Sequence, residues 1–311
     1  MQKDFEKLYK QKEGTLLNFE LVEEDNIKVN KHTYFYDYDD GSVEGMIQEI
    51  METPQFPTLS ELVIGDWGEA WDDGCQPIID GIVANADKFS HINKLFIGNM
   101  DYEACEVSWI IQGNYSEIWS AMPQLKELTV KGSMNLQLGD DICHENLEAL
   151  TIICGGLPKD VIKSIQKAKF PKLKKLLLFI GVDDYGFDGD ADTIKELLEQ
   201  ADFPELTYLG ITNSEIQDEL TEVVLNSKFM GQISVLDLSN GTISDKGGAL
   251  ILEKISDYPN INKLDLHHNY FTDEMVERLE ALPIKVDVSD QDEADIDEDD
   301  GEIYMYAILT E

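Results

Sequence analysis

Residues 233–266 read ISVLDLSNGTISDKGGALILEKISDYPNINKLDL. The stretch opens and closes on one pattern: apolar, two residues, apolar, one residue, apolar. It stands first as Ile233-Leu236-Leu238 and again as Ile261-Leu264-Leu266. Between the two copies, Lys246 to Ser256 reads as a helix, with Ser244 placed as a hydroxyl N-cap. Tyr258-Pro259 then ends the helix, because proline cannot continue it, and leads back into a strand. The unit is therefore strand, turn, helix and a second strand running the same way as the first.

On either side the pattern returns at Leu59-Leu62-Ile64, Ile92-Leu95-Ile97, Leu125-Leu128-Val130, Leu147-Leu150-Ile152, Leu173-Leu176-Leu178 and Leu206-Leu209-Ile211. The middle anchors of the eight copies are 33, 33, 22, 26, 33, 27 and 28 residues apart, and Val286-Val288 offers a ninth strand 22 further on. A strand-plus-helix unit at this period is the signature of a leucine-rich-repeat solenoid, an α/β fold with a curved parallel sheet on the concave side and helices on the convex side. Further helices are expected over 77–88, 115–122, 158–168, 193–201, 218–227 and 273–282. Residues 132–146 carry no helical pattern, which accounts for the 22-residue repeat. Steps resembling Tyr258-Pro259 recur at Phe56-Pro57, Met122-Pro123, Phe170-Pro171 and Phe203-Pro204, where the apolar neighbour can pack beneath the proline.

Residues 1–56 fall outside the pattern. Two β-rich runs, 15–22 and 27–38, precede a turn at Asp39-Asp40-Gly41. Val43, Met46, Ile47 and Ile50 then recur at helical spacing. This is an N-terminal α+β cap for the solenoid of about eight repeats over 57–289. Residues 290–311 form an acidic linker and a terminal strand, Ile303 to Leu309, expected to pair with or cap the last repeat.

With 63 acidic and 24 basic residues the net charge is −39. Such a field repels phosphate backbones and anionic lipid and steers basic partners inward. Arg278 is the one arginine, so no guanidinium cluster can grip phosphates. Nucleic-acid and membrane binding are thus disfavoured, and no stretch approaches the roughly 18 apolar residues of a membrane helix. The opening Met1-Gln2-Lys3-Asp4-Phe5 has no apolar signal core. Cys75, Cys105, Cys143 and Cys154 form no C-x-x-C pair and suit reduced thiols. The expectation is a cytoplasmic monomer with no cofactor.

The exposed positions of the repeats carry the functional signal. Between anchors, residues face the concave side by period-two alternation. One such column reads Val63, Phe96, Thr129, Thr151, Leu177, Gly210, Asp237 and Asp265; the next reads Gly65, Gly98, Lys131, Ile153, Phe179, Thr212, Ser239 and His267. Ile153, Leu177 and Phe179 make an apolar patch that either receives a partner or lies under a segment of the protein itself.

The loops leaving the strands add a rim of acids and aromatics. It comprises Asp66, Trp67, Glu69, Trp71, Asp72 and Asp73; then Asp101, Tyr102, Glu103, Glu106 and Trp109; then Asp183, Asp184, Tyr185, Phe187 and Asp188; then His267, His268 and Tyr270. Rings supply buried area and cation–π contact while carboxylates steer, which suits a basic or mixed protein partner. The opposing reading is that Trp67, Trp109 and Phe187 fold inward between repeats. Partner binding is assigned to Asp66, Trp67, Trp71, Phe96, Tyr102, Glu106, Trp109, Ile153, Leu177, Phe179, Tyr185, Asp237, Asp265, His267 and His268.

Asp188-Gly189-Asp190-Ala191-Asp192 with Glu199 matches positions 1, 3, 5 and 12 of a calcium loop, but position 6 is Thr193 rather than glycine. An acidic turn capping the next helix is the preferred reading. Cys143-His144 with Cys154 lacks zinc spacing. A metal-dependent hydrolase using rim carboxylates with His267 or His268 is the competing class.

Several segments resemble one family. Ile97-Gly98-Asn99, Glu106-Val107-Ser108-Trp109-Ile110, Leu236-Asp237-Leu238-Ser239 and Leu264-Asp265-Leu266-His267-His268-Asn269-Tyr270 are similar to segments of an uncharacterised bacterial family of cytoplasmic leucine-rich-repeat proteins, close to the ribonuclease-inhibitor-like class. The resemblance runs from about residue 33 to the end. It implies the solenoid fold, establishes no activity and carries no catalytic residues; an inhibitor or immunity-type role follows by analogy with inhibitor-like repeats.

Overall fold

The apolar anchors set the register of the sheet. In the computed structural model, which describes residues 16–24, 27–36, 43–297 and 301–310, Leu62 pairs with Leu95, and the row continues through Leu128, Leu150, Leu176, Leu209, Leu236 and Leu264 to Val286. Every leucine of this row is buried. A one-residue slip anywhere would turn an anchor to the opposite face, so burial itself holds the alignment.

The chain opens with β1 (Leu16–Glu24), antiparallel to β2 (Ile27–Tyr36), followed by α1 (Val43–Glu52) and β3 (Glu61–Trp67), which is parallel to β2. Parallel steps follow. They run through α2 (Gln76–Ala84), β4 (Lys94–Ile97), α3 (Ile118–Ala121), β5 (Glu127–Lys131), β6 (Ala149–Ile153), α4 (Lys159–Lys167) and β7 (Lys175–Gly181). The solenoid continues with α5 (Ala191–Gln200), β8 (Tyr208–Ser214), α6 (Gln217–Leu225), β9 (Val235–Asp237), α7 (Asp245–Lys254), β10 (Lys263–Asp265), α8 (Asp273–Glu280) and β11 (Lys285–Asp287). Sheet order equals chain order from β1 to β11. This is the α/β solenoid that the repeat predicts. The N-terminal cap adds one further parallel step through β2, and β1 covers the sheet edge. Val43, Met46, Ile47 and Ile50 are the buried face of α1. The expected turn at Asp39-Asp40-Gly41 lies outside the described residues.

No helix forms between β5 and β6. Single backbone bridges, Ile111 with Met134 and Asn114 with Gln137, hold that segment to its neighbour instead. The Trp119 indole N–H donates to the Leu138 carbonyl at 2.8 Å.

Two ladders join the repeats. Aromatic rings follow one another through the core, Trp119 tilted against Phe170 at 5.6 Å, then Phe170 stacked on Phe203 and Phe203 on Phe229 at 6.1 Å each. Phe170 and Phe203 come from the aromatic-proline steps. Side-chain amides bond the carbonyls at the strand-entry side: Gln124 donates to Phe89 and Ile92, Gln232 to Phe203 and Leu206, and Asn260 to Met230 and Ile233. Buried carbonyls left without donors would cost stability, so these amides are structural.

The turns out of β8 to β11 use a left-handed residue four places after the middle anchor. Asn213, Asn240, His268 and Asp290 take φ values of 55°, 62°, 49° and 55° there. Short polar side chains tolerate that region better than most. His268 is therefore placed by the turn.

Beyond the last repeat, β12 (Asp295–Ile296) and β13 (Ile303–Tyr304) form an antiparallel pair. The terminal strand thus pairs within the tail. From Tyr306 the chain turns back across the exit ends of β10, β9 and β8. The Ile308 N–H donates to the Asn240 carbonyl at 3.1 Å, and the Leu309 N–H to Asn213 Oδ1 at 2.8 Å. Among the described residues, no helix is long and apolar enough to cross a membrane.

Candidate functional site

The concave face carries a third row of side chains, one place before the middle anchors, that the repeat reading passes over. The register places Glu61, Lys94, Glu127, Ala149, Lys175, Tyr208, Val235, Lys263 and Lys285 side by side. Lysines here meet an acid of the next strand, an acid of their own strand or a neighbouring ring. Lys94 lies 3.0 Å from Glu127, Lys263 lies 2.7 Å from Asp265, and the Lys175 ammonium stands 4.8 Å from the Tyr208 ring centroid. Counted over the three rows, Lys94, Lys131, Lys175, Lys263 and Lys285 offset Glu61, Glu127, Asp237, Asp265 and Asp287. The floor of the solenoid is charge-balanced in a chain of net charge −39.

Asp237 and Asp265 are consequently not free acids for a partner. Asp237 is buried and accepts from the Tyr208 hydroxyl, the Ser239 hydroxyl and the Ser239 N–H. Burial, reinforced by the Asp237 charge, pushes the Tyr208 phenol well above its ordinary range. Asp265 is also buried and takes bonds from Lys263 at 2.7 Å and His267 Nδ1 at 2.6 Å. Burial alone would raise its pKa, but the Lys263 and His267 bonds outweigh that and hold it below the usual carboxylate value. His267 therefore serves Asp265, and His268 Nδ1 lies 3.6 Å from Asp292 Oδ2.

The apolar patch is half-buried at Ile153, Leu177 and Phe179. Leu177 leans over Gly210, where an added Cβ would come within 2.4 Å of the Leu177 methyl. The glycine makes room for the leucine, and part of the patch is thereby packing within the sheet. Phe96 is half-buried on the same face.

Along the rim, Trp71, Tyr102 and Trp109 are 45, 63 and 52% exposed. Trp67 corrects the sequence reading: it is buried, and its indole N–H donates to the Asp73 carbonyl at 2.8 Å, which pins the following loop. Phe187 is buried likewise. Asp66 accepts from the Gly68 N–H at 2.9 Å and shapes the same turn, and Glu106 leads into the short turn holding Trp109. The stretches 66–76, 98–118 and 182–192 contain no lysine or arginine, and Lys131 of β5 reaches into the second of them, where its ammonium donates to the Met100 carbonyl beside Asp101. Two of these loops, 98–118 and 182–192, converge with the segments that follow β5 and β6. Trp109, Met134, Asp184 and Tyr185, with Gly156 between them, line a cavity of about 390 Å³.

The calcium-like acids serve as caps. Asp190 accepts from the Thr193 N–H and hydroxyl, closing a capping box at the start of α5, and Asp188 accepts from the Lys159 N–H. His144 reaches the Met122 carbonyl and Cys154 the Phe179 carbonyl, so each joins adjacent repeats.

Fold and rim together define a leucine-rich-repeat-like solenoid with an acidic strand-exit edge. No protein-family model and no curated protein matches the sequence. Among solved structures, it is similar to a Bacteroides fragilis protein whose crystal structure was determined by the Northeast Structural Genomics Consortium. The match has a TM-score of 0.78 and 38% identity, covering 84% of this chain and 74% of that one. The chain belongs to the family of that Bacteroides protein.

Proposed function

We propose that this is a non-catalytic bacterial repeat module, cytoplasmic and monomeric, that binds a protein partner with a basic or mixed surface. The observation that carries the reading is the rim, where Trp71, Tyr102 and Trp109 stand exposed in loops free of basic residues. Exposed aromatics among carboxylates supply anchors and electrostatic steering in one surface. The charge-balanced floor fits a partner that presents both signs once it is docked. The likeness to ribonuclease-inhibitor-like repeats supports a narrower role, an inhibitor or immunity-type factor whose acidic edge covers a basic enzyme surface. The same acidity disfavours nucleic acid and anionic lipid as ligands.

Affinity capture from the producing organism at low and high salt, read by mass spectrometry, tests this. The expected result is a basic protein retained at low salt and released at high salt. Capture that does not weaken with salt, or no specific protein at low salt, contradicts it.

A further inference from the structure

The tail of the chain reveals what the rim can hold. Between Tyr306 and Leu309 it passes from Tyr270 to Asn240 to Asn213, residues of three successive repeats. Two strand spacings amount to about 10 Å, and three residue steps cover about that length only when the chain is extended. Its burial alternates accordingly: Tyr306 and Ile308 are 58 and 44% exposed, and Ala307 between them is 4% exposed.

The hydrogen bonds that fix this segment all reach its main chain. The Tyr270 hydroxyl accepts from the Tyr306 N–H at 2.9 Å and donates to the Tyr306 carbonyl at 3.0 Å. The Asn213 amide does the same for Leu309, accepting from its N–H at 2.8 Å and donating to its carbonyl at 2.7 Å. The Asn240 carbonyl accepts from the Ile308 N–H, and the Ser108 hydroxyl donates to the Thr310 carbonyl. Gly155 permits the approach, since a Cβ there would lie 2.5 Å from the Thr310 oxygen. Ser108 also lines the cavity flanked by Trp109 and Tyr185, so the channel leads into it.

We propose that this channel is a peptide-binding site that reads main chain plus one small inward side chain, and that the tail is its exchangeable resident. The occupant that replaces the tail is an extended segment of the protein partner, with a small residue at the Ala307 position and its continuation in the Trp109–Tyr185 cavity. This rests on the protein-binding reading above. Residues 290–302, which join the tail to the last repeat, contain nine acids and no base, so their mutual repulsion weakens the resident's hold.

The probe is a fluorescent peptide of residues 303–310, titrated by anisotropy against the full-length chain. Leu309→Pro removes the N–H that Asn213 accepts and loosens the resident tail; a chain ending at Met305 is the second variant with the channel vacated. The peptide should bind either variant about tenfold or more tighter than wild type, the scale of one or two lost hydrogen bonds plus relief of competition. Adding Asn213→Gly, which keeps the left-handed backbone, should weaken that binding about tenfold. A peptide with tryptophan at the Ala307 position should bind no better than background, while serine at the Ile308 position should be tolerated. Absence of peptide binding to both variants with unchanged melting, indifference to Asn213→Gly, or acceptance of tryptophan would each overturn the proposal. The peptide assay needs no partner, so peptide binding without salt-sensitive capture leaves the channel standing and removes only the broader function.

Discussion

Asp265 shows how a carboxylate can sit in a strand of a strongly acidic chain without destabilising it. Its folded pKa is depressed below the unfolded value by Lys263 and His267. Such a group stabilises above the unfolded value of about 3.9, and the contribution is lost as pH falls through the folded pKa. Asp265→Asn should cost about 1–3 kcal/mol at neutral pH and flatten the acid limb of the stability curve below about pH 4. Urea melts across pH check this, and an acid limb parallel to wild type would refute it. The cysteines make a second residue-level case. Burial pushes Cys75 and Cys154 up to about 12 and Cys105 up to about 11, while Cys143 is exposed. A disulfide reagent should titrate Cys143 alone in the native protein and all four thiols after denaturation. Rapid native reaction of a second thiol would contradict the packing.

Neighbouring repeats are fastened by ring contacts, side-chain amides or capping acids, so damage in one should be felt in its neighbours. Phe203 lies between Phe170 and Phe229 and is buried. Phe203→Ala should destabilise by about 3–5 kcal/mol, measured by chemical denaturation, because it leaves a cavity that two rings cannot collapse to fill. These elements were legible in the sequence wherever burial dictates residue type. Apolar anchors must alternate to face the core, and the register follows from them alone. The helix starts shifted by at most two residues except at α3, which begins three residues later than expected, and Ser244 and Thr272 cap as hydroxyls do. Other features left no periodic trace. The lysine row is polar on a polar face and reads as ordinary solvation. Trp67 points inward because its indole N–H finds the Asp73 carbonyl, a bond that composition does not encode. The tail docks through main-chain atoms, which every residue possesses, so no side-chain pattern could announce its path.

Across the molecule, charge is partitioned. Lysines pair with acids on the sheet floor and at the strand-entry side, where Glu148 lies 3.2 Å from Lys126 and 2.7 Å from Lys174. The strand-exit loops 66–76, 98–118 and 182–192 carry acids and no base of their own, and add exposed aromatic rings. On the proposed reading the acidic edge serves recognition, and its aromatic anchors are few enough to remove together. Trp71, Tyr102 and Trp109 are 45, 63 and 52% exposed, so replacing all three with alanine should cost no more than about 1–2 kcal/mol of stability and leave the fold intact. Side-by-side capture with wild type and this triple variant at low salt is the most direct test of the rim. The prediction is that the salt-sensitive partner held by wild type is lost from the variant, and a partner retained equally by both would contradict it.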